Sequence, residues 1–287
     1  MTAVLKHELK IYFHSITAYI FGAFLLLFVG IGALLYNIEA AVANFEFVFS
    51  FCSLIFVVIV PILTMRVIAE ERKQKTDQLL YSLPLSTTKV ILGKYLALLT
   101  VYVIPLCIIA IYPLVFSQFG EVYLLTSYGT LFAFFMLGAS LMSVGVFISS
   151  LTENQGFAAG IGISAILFNY YSVSLSENIS ATAQGSFVTI LILSVLIGVI
   201  VKILTKRDNL GVYVGGGLAG ISLIMFWFNR TAFEGLVPDI MTKLSLFERL
   251  NSFVNGVFDM TAIIYYASVI AFFLFLSVQS LEKRRYN

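Results

Sequence analysis

Runs of about twenty apolar residues recur along this chain, and each is long enough to cross a hydrocarbon layer of about 30 Å as an α-helix. They occupy roughly 17–37, 46–68, 91–116, 124–149, 155–175, 186–205, 211–229 and 260–281. Lipid offers no hydrogen bonds to the backbone, so a lipid-crossing segment must satisfy its own N–H and C=O groups, and a helix does so within one segment. The pattern predicts an all-α polytopic membrane protein with about eight transmembrane helices. Composition excludes the soluble alternative: the 287 residues are 60% hydrophobic and 11% charged, where a soluble domain carries about 25% charged residues. The chain reads as one membrane domain over 1–287, with no long linker or low-complexity segment marking a separate soluble part. Lys6, His7 and Lys10 before the first run, with Ala41-Val42-Ala43 after it, imitate a secretory signal. That run is longer than the 7–15 residues of a signal core, so the expectation is a retained first span.

Eight spans put both ends on one side. That side then holds Lys6, Lys10, Arg66, Arg72, Lys73, Lys75, Lys89, Lys94, Lys202, Lys206, Arg207, Lys283, Arg284 and Arg285, fourteen of the seventeen Lys and Arg residues. Only Arg230, Lys243 and Arg249 fall on the other. The positive-inside rule makes the first side, with both termini, cytoplasmic. The outer side is acidic, carrying Glu39, Glu46, Glu121, Glu177, Glu234, Asp239, Glu248 and Asp259.

Several chemistries are excluded. No GxxxxGK[ST] is present; Leu92-Gly93-Lys94-Tyr95 lacks the first Gly and the Ser/Thr, so the chain has no P-loop of its own. HExxH and GxSxG are missing, and the only histidines are His7 and His14. No catalytic residue, metal ligand or resident cofactor is therefore expected, and no nucleic-acid partner. Cys52 and Cys107 lie in separate apolar runs and read as inert thiols. The spans hold almost no ionisable residue, which argues against a carrier driven by protons or ions. Gly211, Gly215, Gly216, Gly217 and Gly220 crowd one span, where glycine allows helices to approach closely.

Three polar regions remain. Residues 1–15 place Val4, Leu5, Ile11, Tyr12 and Phe13 among Lys6, Glu8 and Lys10, as in a helix lying in the inner interface. Residues 230–258 repeat Leu244, Leu246, Phe247, Leu250, Phe253 and Val254 at helical spacing, predicting an external or re-entrant amphipathic helix starting near Pro238. The third is ERKQKTDQLLYSLPLSTTK, 71–89. Thr76 and Asp77 suit the N-terminus of a short helix, Leu79, Leu80 and Leu83 give it an apolar stripe, and Pro84 stops it. Ser86 is then placed to cap the helix entering the third span. A solvated loop has no need of those leucines; a surface for a cytoplasmic partner does.

Ala69 to Ala97 resembles the first cytoplasmic loop of ABC-2-type transporter permeases, whose pattern is approximately E-x-x-x-x-T-x-x-L-L-x-x-P-[LIV]-[ST] followed by G-K. Glu71, Thr76, Leu79, Leu80, Pro84, Leu85, Ser86, Gly93 and Lys94 occupy those positions, with Glu70 as a second acid. The family often has Gly just before the Thr, where this chain has Lys75. Phe247 to Asp259 and Leu281 to Tyr286 resemble the gliding-motility-type subgroup. The resemblance implies one half of a bacterial exporter in the cytoplasmic membrane, paired with a second permease chain, identical or different. Two copies of a separate ABC ATPase, carrying ATP-Mg, would dock on the 69–89 loop through Glu70, Glu71, Arg72, Thr76, Asp77, Leu79, Leu80, Leu83 and Pro84. The interfacial helix, with Lys6, Glu8 and Lys10, would support that contact, and Phe247, Leu250 and Phe253 would gate the outer exit. The competing reading is a stand-alone membrane carrier or channel.

Overall fold

Ser15 divides the N-terminal thirty residues. Its extended backbone, ψ 151°, ends α1 (Thr2–His14) and starts α2 (Ile16–Gly32). This computed structural model describes residues 1–76, 86–205 and 208–286. A π-helical stretch, Ala33–Glu39, extends α2. The 46–68 run, expected as one span, is two helices, α3 (Glu46–Ser53) and α4 (Phe56–Thr64), bent by 62° at the break. Around it the hydrogen bonds tighten to a three-residue step, Ile55 N to Cys52 O and Val57 N to Leu54 O, both 3.1 Å. The three-residue step ends the regular ladder of α3 at the bend; Pro61 lies farther on, inside α4, and has no N–H to give to the Val57 carbonyl.

The chain continues through α5 (Ala69–Lys73), α6 (Thr87–Ile109), α7 (Tyr112–Phe116), α8 (Leu124–Leu151), α9 (Gln155–Glu177), α10 (Ala183–Thr205) and α11 (Asp208–Phe228). The 3₁₀ turn Thr231–Phe233, α12 (Leu236–Leu244), α13 (Glu248–Val254) and α14 (Met260–Tyr286) complete it, and no strand occurs among the described residues. Among the described residues six stretches are long and apolar enough to cross a membrane: Ile16–Glu39, Thr87–Phe116, Leu124–Leu151, Gln155–Glu177, Asn209–Phe228 and Met260–Arg284. The bent α3–α4 pair makes up to a seventh, while the apolar part of α10, Ala183–Val199, is shorter. One local expectation holds: Ser86 caps α6 by accepting from Lys89 N. Asn154 Oδ1 likewise caps α9, accepting from Gly156 N at 2.9 Å. Another does not: α12 begins after the left-handed Gly235 rather than at Pro238. The helices expected over 230–258 are two, with Ser245 restarting the chain by accepting from Glu248 N.

Contacts divide the chain into two units, 1–170 with 249–287, and 171–248. In the first, α8 is the centre: Phe134, Leu137, Leu141 and Met142 are fully buried. Aromatic rings build its core, Phe134 lying 5.1 Å from Phe49 and 4.6 Å from Phe56, and Tyr102 5.9 Å from Phe56. The Tyr102 and Tyr95 hydroxyls donate to the carbonyls of Phe134 (2.8 Å) and Ala139 (3.0 Å), satisfying both buried phenols. In the second unit, glycines let α10 and α11 touch backbone to backbone: a Cβ on Gly211 would sit 2.6 Å from the Gly198 carbonyl, and one on Gly198 would sit 3.1 Å from Gly215 Cα. Gly216, Gly217 and Gly220 have nothing within 4 Å, so close approach explains only two of the five glycines in that run.

Candidate functional site

α1 buries Val4, Glu8 and Tyr12, spaced four apart on one face. Ile11 and Phe13 are exposed on the rest of the helix, and so are Lys6 and Lys10. The buried face lies on α6. It comes close because Gly93 has no side chain: a Cβ there would be 3.0 Å from Val4 Cβ and 3.3 Å from the Met1 carbonyl.

The next residue, Lys94, is only 2% exposed. Its ammonium donates to Glu8 Oε1 at 2.6 Å, to Glu71 Oε1 at 2.7 Å and to the Val67 carbonyl at 3.0 Å. An ammonium has three donors, and all are used. One cation thus joins α1, the start of the 69–89 loop and α6. Burying a charge costs several kcal/mol, recovered only when geometry and hydrogen bonding are complete; here they are. Beside the cluster, burial first, and then the Glu8 and Glu70 carboxylates, push the Tyr12 phenol well above its ordinary range, so it stays neutral. Arg66 extends the network, donating to Thr17 Oγ1 of α2 at 3.1 Å and lying 3.9 Å from Glu70.

The same end of the unit is tied to α8 and α14. Ser149 Oγ accepts from the backbone N–H groups of Ile68 and Ala69 and donates to the Met65 carbonyl, all at 3.1 Å, which holds the turn between α4 and α5. Thr87 donates to Glu282 Oε1 at 2.7 Å, and Ser280 to the Ser150 carbonyl at 3.1 Å. Arg284 pairs with Glu153, whose carboxyl the guanidinium's hydrogen bond and charge hold below the usual range. That pair is exposed and adds little. The N-terminal helix, residues 65–76, the 152–154 turn and the end of α14 therefore share one end of this unit.

Of the residues expected at the loop, Glu71 enters the cluster and Glu70 does not. Arg72 is buried, 5% exposed. Thr76 donates its hydroxyl back to the Glu71 carbonyl at 3.3 Å at the end of α5; the short helix expected to start there lies outside the described residues. Lys75, where the family pattern often has Gly, has φ 58°. That left-handed backbone is the reason Gly suits the position. Asp77, Leu79, Leu80, Leu83 and Pro84 lie outside the described residues. Leu250 and Phe253 are buried in the first unit, where the Phe253 carbonyl accepts the Thr130 hydroxyl at 3.0 Å; Phe247, 7% exposed, belongs to the second.

Sequence reasoning took Lys94 as a cytoplasmic charge and as part of the G-K of the family pattern, and Tyr12 as an apolar member of the interfacial helix, but gave neither a partner, and it passed over Ser149. The signal for Lys94 was a lysine set inside an apolar run directly after a glycine. No group of three potential metal ligands exists among the described residues. What the cluster offers is a mechanical joint among three chain segments.

A family model described as ABC-2 family transporter protein matches residues 25–278 of the chain. No curated protein and no solved structure shows a match.

Proposed function

We propose, from the premise that this chain belongs to the ABC-2 family of transporter proteins, that it is the permease subunit of an ATP-driven exporter in a bacterial cytoplasmic membrane. The family match supports a multi-pass transport subunit. The finer reading is that ATP is hydrolysed on two copies of a separate ABC ATPase, and that a second permease chain, identical or different, completes the pathway. The observation that carries it is the Lys94 joint. A force applied to the 69–89 loop reaches Glu71, and through one buried ammonium it reaches α1 and α6 together. Packed helices transmit such a force by shifting as bodies.

Co-purification with the products of neighbouring genes tests this. Leu80→Asp is expected to lower the ATPase retained by the permease at least about tenfold, the effect of losing a buried interface anchor, while insertion of the chain is unchanged. If no ATPase co-purifies, and Glu71→Ala combined with Leu80→Asp leaves transport intact, the stand-alone carrier or channel takes its place.

The side of the membrane is testable separately. With Cys52 and Cys107 replaced by Ala, a cysteine at position 75 is expected to react with an impermeant maleimide only from the cytoplasm. One at 243 is expected to react only from outside. Labelling of position 75 in intact cells would reverse the orientation.

A further inference from the structure

The Lys94 joint uses one face of α1 and leaves the rest of the helix outside. Val4, Glu8 and Tyr12 are buried on α6. The next residues round the helix, Leu5, Leu9 and Phe13, recur at the same spacing; the two leucines are half-buried and Phe13 is exposed. Beyond them Lys6, Lys10 and His14 form a third row, all exposed. An apolar stripe thus runs beside a cationic one. Glu8 is the only acid before Glu39, and the Lys94 ammonium holds it on the buried side. The outward charge of α1 is therefore positive, and Lys6 and Lys10 make no ion pair among the described residues.

The depth of the helix follows from its ties. Near its start, Val4 packs on Gly93, in the second turn of the stretch that begins at Thr87. At its end, the Phe13 carbonyl accepts the hydroxyl of Tyr19, one turn into the stretch that begins at Ile16, at 3.1 Å. A helix tied across the openings of two membrane-crossing stretches lies along the surface, where headgroups meet acyl chains. Tyrosine favours the same depth. There an apolar stripe enters hydrocarbon and a cationic one meets phosphates. A zwitterionic headgroup brings its own cation to its phosphate; an anionic one leaves that charge to the lysines.

We propose that α1 is a binding surface for anionic phospholipid. Lys6 and Lys10, one turn apart, hold headgroup phosphates, while Leu5, Leu9 and Phe13 lie among the acyl chains. The lipid holds α1 from outside as Lys94 holds it from within. Lys6 and Lys10 thereby go to lipid rather than to the ATPase contact that the family resemblance implies, and the proposal does not depend on the exporter reading.

Quenching by brominated lipid tests it on the full chain in nanodiscs that contain phosphatidylglycerol and phosphatidylcholine in equal amounts. Phe13→Trp with Trp227→Phe, which replaces the one native tryptophan, puts the reporter on the apolar stripe. Bromine is carried by one lipid or the other in otherwise identical discs. Brominated phosphatidylglycerol is expected to quench more, with a local enrichment of about fivefold for each lysine that falls as salt is added. Lys6→Gln with Lys10→Gln should equalise the two lipids, and Lys6→Arg with Lys10→Arg should keep the preference. Lys243→Gln, at an exposed lysine of the second unit, should leave it unchanged. Equal quenching by the two lipids in the reporter chain would overturn the proposal whether or not the glutamine variant folds. An unchanged preference in that variant would overturn it, and so would quenching by neither lipid, which puts the stripe in water or against protein. No ATPase is present in this measurement, so loss of docking in Leu80→Asp bears on the exporter reading alone.

Discussion

Lys94→Met is expected to destabilise the first unit by about 3–5 kcal/mol, the cost of breaking a buried ion pair by removing one partner. Methionine fills nearly the same space, so the loss is electrostatic. It leaves Glu8, its side chain 7% exposed, and Glu71, at 25%, facing each other with no cation between them. The stoichiometry orders the other variants. Two acids share one lysine, so Glu8→Gln or Glu71→Gln alone leaves a neutral pair and costs less than Lys94→Met. Adding both glutamines to Lys94→Met removes every charge and should recover much of the loss, because an uncharged cluster of the same shape has no ion to bury. Glu70→Gln, at the half-exposed pair with Arg66, should change stability by no more than about 1 kcal/mol. Thermal unfolding in detergent and proteolysis of α1 read the series. Unfolding of Lys94→Met at the wild-type midpoint would show that the joint does not hold α1.

Gly145→Ala should rank next, destabilising by about 1–3 kcal/mol, as overpacking of a tight core does. An added Cβ would lie 2.1 Å from Thr64 Oγ1, 2.7 Å from its Cβ and 2.9 Å from its Cγ2. Thr64 cannot turn aside easily. It is β-branched, 1% exposed, and donates to the Val60 carbonyl at 2.9 Å. α4 must move away from α8, and one turn along α8 the Ser149 bonds to Met65, Ile68 and Ala69 loosen with it. Transport should therefore fall more than the amount of protein in the membrane does. Thr64→Gly removes all three clashing atoms and should restore the double variant's transport. Gly160→Ala, with nothing within 4 Å, is the neutral control. Equal behaviour of Gly145→Ala and Gly160→Ala would mean that the α4–α8 contact yields more readily than its geometry implies.

Both predictions rest on residues that one-dimensional reading ranked low. The apolar runs were plain because the need to satisfy the backbone in lipid makes a spanning helix a matter of length and hydropathy. The cap at Ser86 was equally legible, since it depends on a neighbour three residues away. The break in the 46–68 run was not: no proline or glycine stands at Leu54-Ile55 to announce it, and Phe49 and Phe56 on either side of the break both pack on Phe134. Glu46 was read as an outer-face charge because nothing local marks it as buried. Glu8, Glu71 and Lys94 were all named through the resemblance, but not as partners, because 86 and 23 residues separate the two acids from the lysine.

The sequence by itself determined that this chain is helical, enters a membrane many times and lacks the P-loop motif. Those properties are sums over segments or local spacings, and no folding is needed to evaluate them; its place with transporter permeases came from a resemblance to a known motif and the family match. Only the tertiary structure decided which charges are solvated and which are joints. Burial of a charge depends on what packs around it, and glycines such as Gly93 and Gly145 let distant helices approach closely enough to make Lys94 and Ser149 structural centres.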